Sequence, residues 1–266
     1  MKKKTIFDVI IVGGGLAGLT SAIHLSKREK HVLLIEKSAF PKHKVCGEYV
    51  SNEVLPYLNS LGIDPISEGA KKITKVHIST TKNNLIKGEL PLGGFGISRY
   101  FLDDLLAKKA RLNGVQILKD TVDSIHFKKE SFTIITKSSG VFQSKITIGA
   151  FGKRSSLDQK MKRKFIQKES PYLAVKIHVK GLFPENLVAL HNFKGGYCGI
   201  SKVENNAINI CYITEYRSFK KYKNITDFQE QVVFKNEYLK RIFKESTPIF
   251  EKPLTISQVS FQTKNP

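Results

Sequence analysis

With 266 residues, 41% of them hydrophobic, the chain can bury one large core or two smaller ones, and no apolar run reaches the roughly 18 residues that a membrane-spanning helix needs. Its formal net charge is +21, yet only seven of the 44 basic residues are arginines, the side chain whose planar fork reads phosphates and bases. That balance speaks for a mere lysine-rich composition, or else for weak attraction to anionic membrane surfaces or acidic partners, not for nucleic-acid binding.

The lysines at positions 2–4 look like the n-region of a signal peptide, but Asp8 interrupts the apolar run that follows, and glycines stand where a cleavage site would be. Residues 8–12 are instead predicted as a strand buried on both faces, Gly13-Gly14-Gly15 as a turn, residues 16–27 as a helix, and residues 31–35 as a second strand ending on Glu36. This is a βαβ start with a parallel sheet. Residues 40–62 begin as a loop and continue as a short helix; residues 71–92 alternate as β structure with a turn at Asn83-Asn84. Ser98 is the expected N-cap of a helix that carries Asp103 and Asp104 in its early turns, buries Leu102, Leu105 and Leu106, and closes on Gly114.

Short strands follow at 115–118, 121–127, 131–136 and 141–144, then a buried strand at 146–150 and a basic connector at 153–167. The pattern then changes to alternating, antiparallel strands at 172–179, 187–193, 197–203 and 207–213. A capping box, Thr226-Asp227-Phe228-Gln229, opens a helix with Phe228, Val232, Leu239 and Ile242 on one face, and residues 254–261 return to a strand pattern.

The chemistry gathers at Gly13-Gly14-Gly15-Leu16-Ala17-Gly18. A GxGxxG pattern alone is weak, but here a strand precedes it, a helix follows it, and the acidic Glu36 ends the next strand 18 positions after Gly18. Gly13 permits the tight turn, Gly15 lets the backbone approach a pyrophosphate, and Gly18 lets the helix pack closely on the strand. The leading amides of the helix, at Leu16 and Ala17, offer unpaired N–H groups to phosphate, while Glu36, with Lys37 beside it, accepts hydrogen bonds from a ribose.

The segment from Phe40 through Lys44, Cys46 and Gly47 to Tyr49, together with the one from Gly96 through Arg99 and Asp103 to Leu106, resembles the flavoprotein superfamily of geranylgeranyl reductases, flavin halogenases and aromatic-ring hydroxylases. In that family a Lys/Arg-x-Cys-Gly segment lies near the flavin, and an Arg followed three residues later by Leu-Asp opens a helix and helps hold the cofactor. The matching positions are Lys44, Cys46, Gly47 and Arg99. Gly149-Ala150-Phe151-Gly152-Lys153-Arg154-Ser155 resembles the second glycine motif, and Val122 matches the position whose backbone meets the adenine.

The resemblance implies an α/β chain, α+β overall. It would comprise a Rossmann-like FAD-binding domain with a parallel sheet and β-meander (1–70 and 96–157) and an antiparallel-sheet substrate domain (71–95 and 158–266). The implied function is an FAD-dependent oxidoreductase of monooxygenase or ene-reductase type. Its substrate would be an apolar aromatic, polyketide or isoprenoid molecule, and NAD(P)H a possible electron donor. The alternative is a non-catalytic nucleotide-binding or interaction module.

Three departures stand out. Phe151 replaces the Asp of the hydroxylases' second motif, the chain has no Trp to complete the reductases' aromatic signature around Gly195–Gly199, and no Gly-Asp dipeptide occurs. In the family a Gly-Asp motif holds the ribityl chain, so the expectation is a chain that stops short of the complete FAD site. Substrate, electron donor and oligomeric state are left open by the residues.

Three widely separated cysteines, Cys46, Cys198 and Cys211, form neither a disulfide framework nor a zinc spacing and point to a reducing, cytoplasmic compartment, with contact at the inner membrane surface an added option. Cys46 is the one weak candidate for a catalytic contact. His178, Tyr197 and Cys198 read as packing on the substrate sheet, and His24 as a packed or solvated helix residue. No histidine spacing suggests a metal.

Overall fold

The computed structural model describes residues 6–153, 155–167, 170–259, 261, 263 and 264, the side chains of 166 and 167 excepted. Expectations attached to residues 1–4, to Arg154 and to the Asn265-Pro266 end fall outside them. In chain order the elements are β1 (Ile6–Val12), α1 (Leu16–Ser26), β2 (Val32–Glu36), β3 (Tyr49–Ser51), α2 (Leu55–Ser60), β4 (Lys71–Ser79), β5 (Leu85–Gly96) and α3 (Arg99–Leu112). Next come β6 (Gln116–Lys119), β7 (Val122–Lys128), β8 (Ser131–Thr136), β9 (Val141–Gly149), α4 (Ser156–Lys160), β10 (Tyr172–Lys180), β11 (Leu187–Phe193), β12 (Gly196–Lys202) and β13 (Ile208–Glu215). The chain continues with α5 (Tyr216–Phe219), α6 (Ile225–Gln231), α7 (Glu237–Lys244), β14 (Thr247–Pro248) and β15 (Leu254–Ser257).

Two sheets organise these elements. The first has six strands in the order β6-β2-β1-β9-β8-β7; β6, β2, β1 and β9 run parallel, and β9, β8 and β7 form an antiparallel meander. The apolar runs of β1 and β2 lack alternation because both faces are covered. Val9, Ile11 and Leu34 pack with α1 and α3 on one face, and Ile10, Val12, Leu33 and Ile35 pack with Val122, Ile134 and Leu157 on the other. Ser98 caps α3 by accepting the Phe101 N–H at 3.0 Å, and Gly114 closes it at φ +82.

The second sheet has nine strands, β14-β10-β13-β12-β11-β4-β5-β3, with β15 also on β10; all neighbours are antiparallel except β11 and β4. Its faces differ in character. Val175, Ile200, Ile210 and Tyr212 pack under Phe228, Val233, Leu239 and Ile242, which makes the sheet's own core. Register puts Ala174, Lys176, His178, Gly199, Ser201, Asn209, Cys211 and Ile213 on the opposite face, toward the first unit.

Five local expectations need correction. The helix read through residues 226–242 is broken into α6, a 3-10 turn at Val233–Lys235 and α7. The break is set by Asn236, whose side chain caps Tyr238 and Leu239 and also bonds Ser79 Oγ and the Asn192 carbonyl, an alternative to continuing the helix. The cap of α6 is Asn224, accepting the Asp227 N–H, not Thr226. The two strands read at 141–150 are the single strand β9, because Lys145 stays extended and pairs with Asp8 at 2.8 Å. The connector 153–167 carries α4, and the last strand stops at Ser257.

Candidate cofactor and substrate site

The first cleft opens where β1 gives way to α1. Gly13 sits at φ +108, and a Cβ there would lie 2.5 Å from the Ala150 carbonyl oxygen. A Cβ on Gly18 would come within 1.9 Å of the Gly13 carbonyl oxygen, so only glycine lets α1 seat on the turn. Gly15, between them, has nothing within 4 Å of its missing side chain. No side chain caps α1 and no acidic residue lies in its first turn, which leaves the positive end of the helix for an anion. Leu16 is half-buried and Ala17 exposed.

The Glu36 carboxylate accepts the Gly14 N–H at 2.7 Å and the Ser38 N–H at 3.0 Å, so it is fixed beside the glycine turn. It lines a cavity of about 130 Å³ together with Gly13, Lys37, Val122, Phe151 and Ser155. The floor is braced by Asp120, whose carboxylate accepts backbone N–H groups of Thr121, Ser138 and Ser139. These bonds, those from Ser139 first, hold its carboxyl well below the usual range. Gly149 ends β9 behind the Phe151 ring; the ring, not the glycine, faces the cavity. These residues fit an adenosine diphosphate half: open space at Gly15 for phosphate, Glu36 for a ribose, and a slot at Val122 and Phe151 for a flat base.

From this cleft the chain runs to the second sheet through residues 37–48. Phe40 packs over Gly14 and starts the loop at the glycine turn. Asp103 then collects two cations: Lys44 Nζ at 2.6 Å, and Arg99 through Nε at 2.8 Å and Nη2 at 3.0 Å. Burial opposes the Arg99 charge, but Asp103 and the Cys46 thiol outweigh it and raise the guanidinium above its ordinary value. Asp103 and Asp104 were expected to serve the helix dipole in the early turns. The first turn of α3 holds no acidic residue, and the buried Asp103 is the anchor of Lys44 and Arg99 instead.

The loop ends on Glu48, buried at φ +55. Its carboxylate accepts the Arg99 N–H at 2.8 Å, meets His178 Nε2 at 2.7 Å, and pairs with Lys176. Burial would raise this carboxyl; His178 and Lys176 reverse that and lower it. His43, on the same loop, stacks on Tyr100, meets Phe250 at a tilt and lies edge-on to His178. Burial, then Lys176 and His178, push its imidazole pKa down.

Beyond the loop lies a second, larger cavity of about 600 Å³. Its walls are mainly apolar: Ala174, Leu190, Ile213, Ile256 and Tyr197 face it, with Cys46 and Gly47 at one side and Lys153 at another. Cys211 also lines it, its thiol pushed up to about 12 by burial. Tyr197 is 45% exposed, whereas Cys198 is fully buried in the core on the far face of the sheet. His24 is exposed on α1, near Tyr57. The short turn after β9 touches both cavities, Phe151 facing the first and Lys153 the second.

Sequence reasoning missed Glu48, Lys176, Glu204 and Asn209. Lys176 sits at an outward position of an alternating strand, where a lysine reads as solvated, and Glu48 lies 128 residues away from it. Glu204, which accepts the Ser98 N–H at 2.8 Å, is likewise paired only in three dimensions. The one available signal was that Glu48 directly follows Gly47.

A parallel sheet with a meander, set against an antiparallel sheet that walls an apolar chamber, makes a two-part fold. Comparison with known proteins finds the same fold in flavin-dependent enzymes. The family model described as FAD dependent oxidoreductase matches residues 8–45. An uncharacterized protein of Methanosarcina barkeri is 35% identical over 156 residues, covering 57% of this chain and 38% of that protein. The digeranylgeranylglycerophospholipid reductase of Methanococcus vannielii is 27% identical over 160 residues, covering 58% of this chain and 40% of the reductase. Among solved structures, the flavin-dependent brominase Bmp2 superposes with a TM-score of 0.79 at 22% identity, over 95% of this chain and 67% of the brominase. The myxobacterial halogenase CndH gives 0.78 at 16% identity, over 96% and 64%. The chain is thus similar to FAD-dependent oxidoreductases in sequence over residues 8–45, and to flavin-dependent halogenases in fold over nearly its whole length. It spans about two-fifths of the length of the curated relatives it matches.

Proposed function

We propose that this chain binds FAD across the two cavities and belongs to an oxidoreductase that reduces a carbon–carbon double bond in an apolar, isoprenoid-like substrate. The observation that carries the reading is the pair of cavities in series: a small polar cleft at the glycine turn and a large apolar chamber, with the Phe151–Lys153 turn between them. An elongated dinucleotide laid in the first would reach the second. When bound, FAD supplies the hydride chemistry. The chain's own groups do the rest. Gly15 and the head of α1 seat the diphosphate, Glu36 orients the ribose, and Leu190, Ile213 and Ala174 keep water from the apolar substrate. Matched relatives named as reductases, including the menaquinone reductase of Mycobacterium tuberculosis, favour double-bond reduction over oxygen insertion. Among the described residues no helix is long and apolar enough to cross a membrane. The net charge of +21 supports contact with an anionic membrane surface, where such a substrate would reside, on the cytoplasmic side. A nicotinamide is the proposed electron donor.

The test uses the purified chain. Equilibrated with FAD and gel-filtered, it should keep visible flavin absorption. After anaerobic reduction, addition of a polyprenyl alkene should reoxidise the flavin without oxygen and yield the saturated product. Reoxidation only when oxygen is admitted, with a hydroxylated product, would replace reduction by insertion. A chain that binds FAD but turns over neither way would be a nucleotide-binding module, and one that stays colourless would end the FAD reading.

A further inference from the structure

The loop carrying Cys46 and Gly47 is fastened to the antiparallel sheet by side chains that stand together on one face of β10 and β13. Lys176 Nζ donates to the Lys44 carbonyl at 3.1 Å and to Glu48, and His178 meets the other Glu48 oxygen. The Asn209 amide nitrogen donates to two successive carbonyls, Gly47 at 2.9 Å and Cys46 at 3.3 Å. Both carbonyls are thereby turned toward the sheet. The Gly47 backbone, in contrast, fronts open space, with nothing within 4 Å of where a Cβ would stand, and Cys46 and Gly47 line the large chamber.

Asn209 is a costly choice for packing alone. It is fully buried, and its Oδ1 has no hydrogen-bond partner among the described residues. The Oγ of Ser201, its neighbour across β12 and β13, is equally buried and equally unpaired. A buried polar atom without a partner weakens the fold. An apolar residue of the same volume would fill the place without that penalty, but it could not hold two carbonyls with one amide group.

We propose that Asn209 is the positioning residue for the flavin ring: by pinning the Cys46 and Gly47 carbonyls to the sheet, it presents the open face of that peptide to the isoalloxazine. This rests on the FAD reading above, in which a dinucleotide runs from the Gly13–Gly18 turn past Phe151 and Lys153 into the chamber. Asn209 touches no part of the nucleotide cleft, so its effect is confined to the ring half of the cofactor.

The experiment titrates the chain and its Asn209→Ala variant with ADP and with FAD, by calorimetry and flavin fluorescence. The wild type should bind FAD about tenfold or more tighter than ADP, the excess being the contribution of the flavin half. Asn209→Ala should keep its ADP affinity within about twofold and bring the FAD-to-ADP ratio below about threefold, with less quenching of the flavin. An unchanged ratio overturns the proposal, as does a wild type that binds FAD no tighter than ADP. Equal losses for both ligands, with a lower melting temperature, would mean a structural role only and overturn it too. A wild type that binds no ADP refutes the dinucleotide reading itself, a different failure from the first three. Should the alanine variant not fold, Asn209→Leu keeps the volume: a retained FAD preference overturns the proposal, and a lost preference with ADP binding intact supports it.

Discussion

Replacing Lys176 with Met would measure how far the two units depend on the ion pair buried between them. The side chains of Lys176 and Glu48 are both 0% exposed, so neither charge is screened by solvent. Removing the cation leaves a carboxylate inside the protein with only His178 and the Arg99 N–H for company. Stranding one member of a buried pair costs roughly 3–5 kcal/mol. In a chain of this size each kcal/mol moves the melting temperature by about 2–4 °C, so Lys176→Met should melt on the order of 10 °C lower. The double variant Lys176→Met, Glu48→Gln removes the stranded charge and should regain at least half of that, a coupling of roughly 2 kcal/mol between neighbouring sites.

The pH dependence gives a second handle on the same pair. The Glu48 carboxyl lies below its ordinary 4.5 in the folded chain. Its contribution is therefore complete above that value and is lost as pH falls through it toward the folded pKa. The gap between wild type and Lys176→Met should be widest at neutral pH and narrow on acidification below about 4.5. Urea denaturation at several pH values reads both effects. A single variant within about 2 °C of wild type, strict additivity in the double variant, or a gap that ignores pH would refute the reasoning.

Two further outcomes are expected. Gly15 has extended backbone geometry and open space, so Gly15→Val should fold with a near-native melting temperature yet lose about tenfold or more in ADP affinity; Gly18→Ala forces contact at 1.9 Å and should lose stability first, as paired calorimetry and thermal melts would reveal. His191, 5% exposed with its Nδ1 2.8 Å from Ser79 Oγ, has its pKa pushed from 6.5 to about 4, chiefly by burial. The unfolded chain takes up a proton that the folded chain refuses, so stability is full above pH 6.5 and falls by up to roughly 3 kcal/mol toward pH 4. His191→Gln should flatten this decline in denaturation midpoints compared between neutral and acid pH; an unchanged slope would assign the acid loss to other groups.

Much of the first sheet could be read directly because its signals are local. The unbroken apolar run of β1, the glycines at 13, 15 and 18, and Glu36 at the end of β2 all act within one βαβ unit. The alternation of β10 through β13 was equally legible, since one face of that sheet is packed by helices. The errors fall where a distant partner overrules local preference. Asn236 stops a helix because Ser79 and Asn192 bind its side chain. Asp103 leaves the dipole role because Lys44, from a loop 59 residues earlier, reaches it first. Lys176 gave no signal because its partner Glu48 is remote and because burying a lysine becomes tolerable only once a carboxylate meets it.

The cavity-side face of the antiparallel sheet is divided along the length of its strands. Lys176, His178 and Asn209 anchor the loop at one end, while Ala174 and Ile213, a few residues along the same two strands, form chamber wall at the other. Anchorage and selectivity thus occupy separate addresses on one rigid plank. Changes of bulk at Ala174, Leu190 or Ile213 alter the space in the chamber while leaving the Cys46–Gly47 loop where it was. A scaffold partitioned this way can reshape its chamber by a few wall substitutions without disturbing the anchorage of the loop.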